Sequence, residues 1–294
     1  MKRFGLIGHP IAHSLSPALF KAGYDGRYPY ELIETSDFED AYGRFLQEYD
    51  GINVTAPFKE LAFRKADILS EECQKIGATN LLIKTPEGIK AYNSDYLGVR
   101  LWLEEIVVPF CDGHSSPDRK AQQRRDTRVS KTFGESRSRP TTLVVGLGGA
   151  GKAAAEATRS LGCRMILMNR TRHSEEIRPL EDFCRCFREA DIIIYNIPTA
   201  IPQLDELTDD DFRGLPIKGP EDERVPSLLH RPKFILEANY KNPSFTESLI
   251  ERMKAVNPDI GYTSGRTWLL YQALTGYELF TGEKPDLAQM SAVI

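Results

Sequence analysis

The chain has 294 residues, of which 41% are hydrophobic and 27% charged, enough for two globular domains that each bury a core. Its formal net charge of −4, from 38 Lys and Arg against 42 Asp and Glu, leaves no global positive field for nucleic acid or an anionic membrane, so neither is an expected partner. The five cysteines include no CxxC pair, which argues against a disulfide scaffold or a metal site, and no apolar run reaches a membrane span, so a cytoplasmic setting is expected.

In chain order, Arg3–Ile7 reads as a strand, followed by a loop over His9–Leu15 and a helix starting near Ser16, with Pro17 at the favoured first position. Tyr30–Ile33 predicts a second strand, Asp37–Tyr49 a helix and Ile52–Thr55 a third strand, with helical stretches from Phe58 to Ile76. Leu81–Lys84 and Ile89–Ala91 flank a turn at Pro86-Glu87-Gly88, and an amphipathic helix runs from about Asp95 to Val107. Strands separated by helices predict an α/β fold with a mostly parallel sheet. Asp112–Pro140 carries eight Lys or Arg against four Asp or Glu and almost no large apolar side chains. That composition predicts a mobile surface insertion between domains, because nothing in it offsets the entropy of ordering. Alternation resumes with a strand at Thr142–Val145, a helix at Lys152–Leu161, and strands at Met165–Met168, Asp191–Tyr195 and Phe234–Leu236. Gly214–Pro232 reads as loop, and Thr267–Phe280 as an apolar final helix that packs back on the first domain.

Gly146-Leu147-Gly148-Gly149-Ala150-Gly151 fits GxGxxG between a strand and a helix. In that setting Gly146 permits a tight turn, Gly148 lets a pyrophosphate approach the backbone, and Gly151 lets the helix sit close to the strand. The helix N-terminus adds free N–H groups for the phosphates. Together these predict a Rossmann dinucleotide-binding domain over 99–265, with a substrate-binding domain over 1–98 completed by 266–294. At the end of the next strand, where an acidic residue would hold a ribose 2′-hydroxyl, the chain has Asn169-Arg170-Thr171-Arg172. A guanidinium and a hydroxyl suit a 2′-phosphate, which favours NADP, with NAD as the alternative.

Ser14 and Ser16 bracket the loop that opens the first helix. Either they form a carboxylate site with the free helix N–H groups, or Ser16 caps the helix. In Asn53-Val54-Thr55-Ala56-Pro57-Phe58-Lys59, strand alternation points Asn53 and Thr55 to one side. Lys59 opens a helix at the end of the dipole that disfavours a cation, a placement suited to proton transfer unless Lys59 is a solvated surface residue. Asn80 and Asn93-Ser94-Asp95 are expected to end two more strands, where ligands of open α/β sheets collect. Asp95 either caps the long helix or pairs with Lys59. Tyr240 is expected to follow the last strand, and Gln272 to lie on the final helix beside Trp268 and Leu269; both can be core residues with satisfied polar tips.

Taken together these segments resemble the shikimate dehydrogenase family. The resemblance runs from Gly8-His9-Pro10-Ile11-Ala12-His13-Ser14-Leu15-Ser16-Pro17 through Asn53 to Glu60, Gly77-Ala78-Thr79-Asn80, Asn93-Ser94-Asp95, Gly146 to Lys152, and Asn169-Arg170-Thr171. It ends with Tyr240 and Pro243, then Gly265 and Gln272, in order over nearly the whole chain. The resemblance implies reversible NADPH-dependent reduction of 3-dehydroshikimate to shikimate, a step toward chorismate and the aromatic amino acids, by a monomer or homodimer. It implies that Ser14 and Ser16 bind the substrate carboxylate, and that Asn53, Thr55, Asn80, Asp95, Tyr240 and Gln272 contact substrate. It makes Lys59 the catalytic acid/base and Asp95 the residue that orients it, with no metal. Gly146, Gly148, Gly149, Ala150, Gly151, Asn169, Arg170, Thr171, Arg172 and Gly265 would hold the cofactor. A quinate/shikimate dehydrogenase using NAD is the alternative within the family, and a non-catalytic dinucleotide-binding regulator the alternative outside enzymes. The chain departs from the family at Asn196-Ile197-Pro198-Thr199-Ala200-Ile201, where Asn-x-Thr and a later Gly-Met pair are usual. It also has Ser174 where a further basic residue usually stands, and the insertion has no family counterpart.

Overall fold

The computed structural model describes residues 1–112, 139–171, 174–214 and 231–294. The insertion over 113–138, Arg172, and most of the stretch expected to be loop, 215–230, lie outside the described residues. The described chain divides into two compact units, Met1–Val99 with Lys152–Ala157 and Arg266–Ile294, and Arg100–Gly151 with Thr158–Gly265.

The first unit begins with β1 (Phe4–Gly8), α1 (Ser16–Gly23), β2 (Tyr30–Glu34), α2 (Phe38–Glu48) and β3 (Gly51–Val54). It continues through α3 (Lys59–Lys65), β4 (Ile68–Leu69), α4 (Glu71–Ile76), β5 (Leu81–Thr85), β6 (Gly88–Tyr92) and the first turns of α5 (Ser94–Asp112), which belongs to the second unit from Arg100 on. Its sheet has the order β2-β1-β3-β5-β6-β4. β1 pairs in parallel with β2 and β3, and β4 in parallel with β6, whereas β5 runs antiparallel to both β3 and β6. The sheet is therefore mixed, because the turn at Pro86-Glu87 closes a hairpin where a longer crossover would have been needed for parallel pairing. β4 interrupts the helical stretch expected over Phe58–Ile76.

The second unit holds β7 (Thr141–Val145), both ends of α6 (Gly149–Ser160), whose Lys152–Ala157 count with the first unit, β8 (Arg164–Met168), β9 (Ile177–Arg178), α7 (Phe183–Glu189) and β10 (Ile192–Tyr195). It adds α8 (Asp209–Arg213), β11 (Lys233–Glu237), α9 (Glu247–Val256) and β12 (Ile260–Thr263). All pairings in its sheet, ordered β12-β11-β10-β7-β8-β9, are parallel. The chain starts at β7 near the middle, works outward to β9, then returns to β10 and works outward the other way. That is the doubly wound Rossmann order, with its switch point between β7 and β10. The strands read as continuous apolar runs, as Ile192-Ile193-Ile194-Tyr195 does, because helices cover both faces.

α10 (Gly265–Thr281) and α11 (Leu287–Ser291) close the chain. Leu270, Ala273, Tyr277 and Phe280 of α10 pack with Phe4 of β1 and Leu19 and Phe20 of α1 in one core, and the Phe4 and Phe280 rings stack at 4.9 Å. The C-terminal helix thus completes the first unit. It approaches α5 so closely that a Cβ on Gly98 would lie 2.6 Å from Gln272 N, so only glycine fits there.

Candidate active site

One edge of the first sheet gathers the polar side chains. β1, β3 and β6 end there, and β5, being antiparallel, begins there. Asn80 therefore starts β5 where it was expected to end a strand, and it still reaches the ligand edge: its carbonyl accepts from Val54 N at 2.8 Å. Thr55 is half-buried just beyond β3, its N–H donating to Ile7 O at 3.0 Å. The chain then turns through a cis Ala56–Pro57 bond, with Phe58 N donating to Thr55 O at 2.9 Å, and Lys59 opens α3.

Lys59 Nζ donates to Asp95 Oδ2 at 2.5 Å, with side-chain exposures of 21% and 12%. The two groups come from the first turns of different helices. The field at α5's N-terminus favours the carboxylate, and the carboxylate in turn holds an ammonium that α3's own dipole would repel. Asp95 is not the cap of α5. Asn93 Oδ1 accepts from Tyr96 N at 3.1 Å and takes that role, which leaves the Asp95 carboxylate for Lys59. Trp268 Nε1 of α10 donates to Asp95 O at 3.1 Å, fixing the backbone behind the carboxylate.

The neighbouring amides are locked in orientation. Ser94 N donates to Asn80 Oδ1 at 2.7 Å, so Asn80 turns its Nδ2 to Gln272 Oε1 at 3.4 Å. Asn53 Nδ2 donates to Asn80 O at 3.3 Å, and Asn53 Oδ1 accepts from Tyr30 OH at 2.8 Å. Ser14 Oγ donates to Ser16 Oγ at 3.1 Å, and Tyr277 OH holds the Ser16 carbonyl at 3.0 Å. Ser16 makes no side-chain cap for α1, whose N-cap position is Leu15. Burial raises the phenol pKa of Tyr30 and Tyr277 well above the ordinary value, so both stay protonated and available as donors. Ser14, Ser16, Asn53, Asn80, Gln272, Lys59 and Asp95 are thereby fixed within one unit. Tyr30 and Tyr277, which orient two of them, had no signal in the sequence beyond aromatic residues in a strand and a helix; Trp268 stood out only as a neighbour of Gln272.

In the second unit, Gly146 adopts φ +86° and donates its N–H to Met168 O at 2.8 Å. A Cβ on Gly151 would lie 1.8 Å from Gly146 O, whereas one on Gly148 would meet nothing within 4 Å. The turn is therefore closed on the protein side and open at Gly148, the N-cap of the 12-residue α6. α6 starts at Gly149, three residues before the expected Lys152, so the last three motif residues lie in its first turn with Gly149 and Ala150 N–H groups directed outward from the helix start. Asn169 Oδ1 accepts from Leu147 N at 3.2 Å, tying the turn to the end of β8, where Arg170 and Thr171 are exposed. An open, N–H-lined turn beside an exposed guanidinium and hydroxyl fits a dinucleotide with a 2′-phosphate. Arg172 lies outside the described residues. Tyr240 is half-buried after β11, which is not the last strand, since β12 follows it. Gly265 presses on that same loop, where its Cβ would lie 2.3 Å from Ala238 O. Among the described residues no group of three His, Cys, Asp or Glu could hold a metal, and no helix is long and apolar enough to cross a membrane.

Residues 6–82 match the model of the shikimate dehydrogenase substrate binding domain, and residues 111–212 that of the D-isomer specific 2-hydroxyacid dehydrogenase NAD binding domain. The chain is 30% identical over 300 residues to the shikimate dehydrogenase (NADP(+)) of Pyrococcus abyssi, covering 100% of this chain and 97% of that protein. The chain belongs to the shikimate dehydrogenase family. A second member, the shikimate dehydrogenase (NADP(+)) of Archaeoglobus fulgidus, is 28% identical over 99% of this chain and 96% of its own length. Among solved structures of the family, the Thermus thermophilus shikimate 5-dehydrogenase in complex with NADP(H) and shikimate superimposes with a TM-score of 0.68 at 26% identity. That match covers 100% of this chain and 98% of the other. A Corynebacterium glutamicum quinate dehydrogenase in complex with NAD shares the fold, with a TM-score of 0.70 at 19% identity over 99% and 98% of the two chains.

Proposed function

We propose that this member of the shikimate dehydrogenase family catalyses the reversible NADPH-dependent reduction of 3-dehydroshikimate to shikimate. The observation that carries the proposal is the Lys59–Asp95 pair, 2.5 Å apart, at a sheet edge lined by fixed amides and hydroxyls.

The bound dinucleotide supplies a hydride. Gly146, Gly148, Gly149, Ala150 and Gly151 would hold its pyrophosphate and Arg170 and Thr171 its 2′-phosphate, while Asn169 keeps the turn joined to β8. Ser14 and Ser16 donate to the substrate carboxylate. Asn53, Thr55, Asn80, Tyr240 and Gln272 take the ring hydroxyls, the amides being held in one orientation by Tyr30, Ser94 and each other. Lys59 Nζ gives a proton to the carbonyl oxygen during reduction and takes it back during oxidation, and its charge stabilises the developing alkoxide. Asp95 holds the ammonium in place through the 2.5 Å contact, and itself accepts from a substrate hydroxyl.

Purified protein assayed with shikimate and with quinate, each with NADP⁺ and with NAD⁺, tests this by the absorbance of the reduced nicotinamide. The expected result is turnover with shikimate and NADP⁺ above the other three combinations. Turnover with none of the four would overturn the assignment, and a preference for quinate with NAD⁺ would move it to the sister activity.

A further inference from the structure

We propose that Asn239 is a positioning residue for the nicotinamide half of the cofactor, an inference that rests on the dehydrogenase function proposed above. Asn239 lies two residues beyond β11 in the second unit. Its Nδ2 donates at 2.7 Å to Pro198 O and at 2.7 Å to Asn242 O. Its Oδ1 accepts from Lys241 N at 3.2 Å and from Asn242 N at 3.3 Å. Two N–H groups and two lone pairs are the full capacity of a side-chain amide, and all four are used.

The contacts split into two functions. Three fold the β11 loop around Tyr240. The fourth, to Pro198, crosses to the loop after β10, whose far side Tyr195 OH anchors through Thr199 O at 2.8 Å. In a doubly wound sheet the pyrophosphate occupies the switch point and the two mononucleotide halves spread to either side. The glycine turn follows β7, and Arg170 and Thr171 follow β8, so the half bearing the 2′-phosphate extends over β8. The nicotinamide half then extends over the loops after β10 and β11. Asn239 sets the spacing between those two loops.

The loop after β11 has an independent anchor. Glu237 is wholly buried, and its carboxylate accepts from Ser244 N, from Phe245 N at 3.3 Å and from Tyr262 OH at 2.7 Å. Loss of the Asn239 tether therefore frees the loops from one another while leaving the β11 loop attached to the core.

Asn239→Asp keeps both acceptor contacts and loses both donated ones, including the bond to Pro198; Asn239→Ala loses all four. Binding of NADPH is followed by its fluorescence, and binding of adenosine 2′,5′-bisphosphate, which lacks the nicotinamide half, by displacement of NADPH. For Asn239→Asp the expected result is an NADPH Kd raised about tenfold, with the bisphosphate within about twofold of wild type; Asn239→Ala should match or exceed the first change. Equal weakening of both ligands would mean a general loosening of the unit, and unchanged NADPH affinity would mean the tether positions nothing; either overturns the proposal. Wild-type protein that binds the bisphosphate and NADPH equally poorly would overturn the dehydrogenase function, and this inference with it.

Discussion

Asn53 illustrates how much of this site depends on side chains that never meet a ligand. Its oxygen accepts from Tyr30 OH and its Nδ2 donates to Asn80 O, which fixes the way the amide faces anything bound beside it. Tyr30→Phe leaves that buried oxygen without its donor, a loss on the order of 1 kcal/mol. The expected outcome is a KM for shikimate raised about fivefold with kcat nearly unchanged, measured by steady-state kinetics; equal falls in kcat and kcat/KM would instead place Tyr30's effect in the transition state. At this scale the sequence was informative about residues with chemistry of their own. Lys59 at a helix start, Asp95 at another and the paired serines were all legible. The choice between capping and ion pairing for Asp95 was not, because it turns on Asn93 taking the cap. Tyr30 and Tyr277 were silent because an aromatic residue in an apolar run looks the same whether or not its hydroxyl has a task.

Among the elements, the β7–α6 turn was the clearest in the sequence, since each glycine answers a separate steric demand. Gly151→Ala would put a methyl group 1.8 Å from Gly146 O, so the strand and helix must separate and the phosphate-binding N–H groups move. The expected outcome is an NADP KM raised on the order of tenfold or more, with the fold kept; near wild-type affinity by titration would show that the turn does not carry the cofactor. Elements that escaped the sequence were short or lacked punctuation. β4 has two residues and its register comes from β6. α7, α8, α9 and β12 are also short and lie in a stretch where apolar positions serve strands and helices alike. The hairpin β5–β6 is legible as two strands about the Pro86-Glu87-Gly88 turn and sits within a mostly parallel sheet, but the antiparallel pairing of β5 with β3 has no local signal, because α3, β4 and α4 separate them in sequence.

On the scale of the whole molecule, two sheets with separate cores divide the work. The second core contains an unusual charge. Lys233 is wholly buried, with Nζ donating to Phe187 O, Arg188 O and Ala190 O at 2.8, 3.1 and 2.6 Å, which closes the end of α7. Burial pushes its pKa down to about 7, the three carbonyls notwithstanding. Between that value and the ordinary 10.5 the unfolded chain binds more protons than the folded one, so stability rises with pH across that window, and the cost of the buried charge is fully present below it. Wild-type protein should therefore gain in urea midpoint relative to Lys233→Met as the pH is raised from about 7 to about 9. Parallel pH dependence of the two proteins would show that Lys233 titrates normally in the fold.

Lys59 acting in the chemical step is the claim on which the proposed function stands, and one comparison tests it directly. Lys59→Ala, assayed with shikimate and NADP⁺ beside wild type, should lose about 10² or more in kcat while still binding shikimate, as expected when a general acid/base is removed. If kcat held and only KM rose, Lys59 would be a binding residue and the proton transfer assigned to the Lys59–Asp95 pair would be wrong.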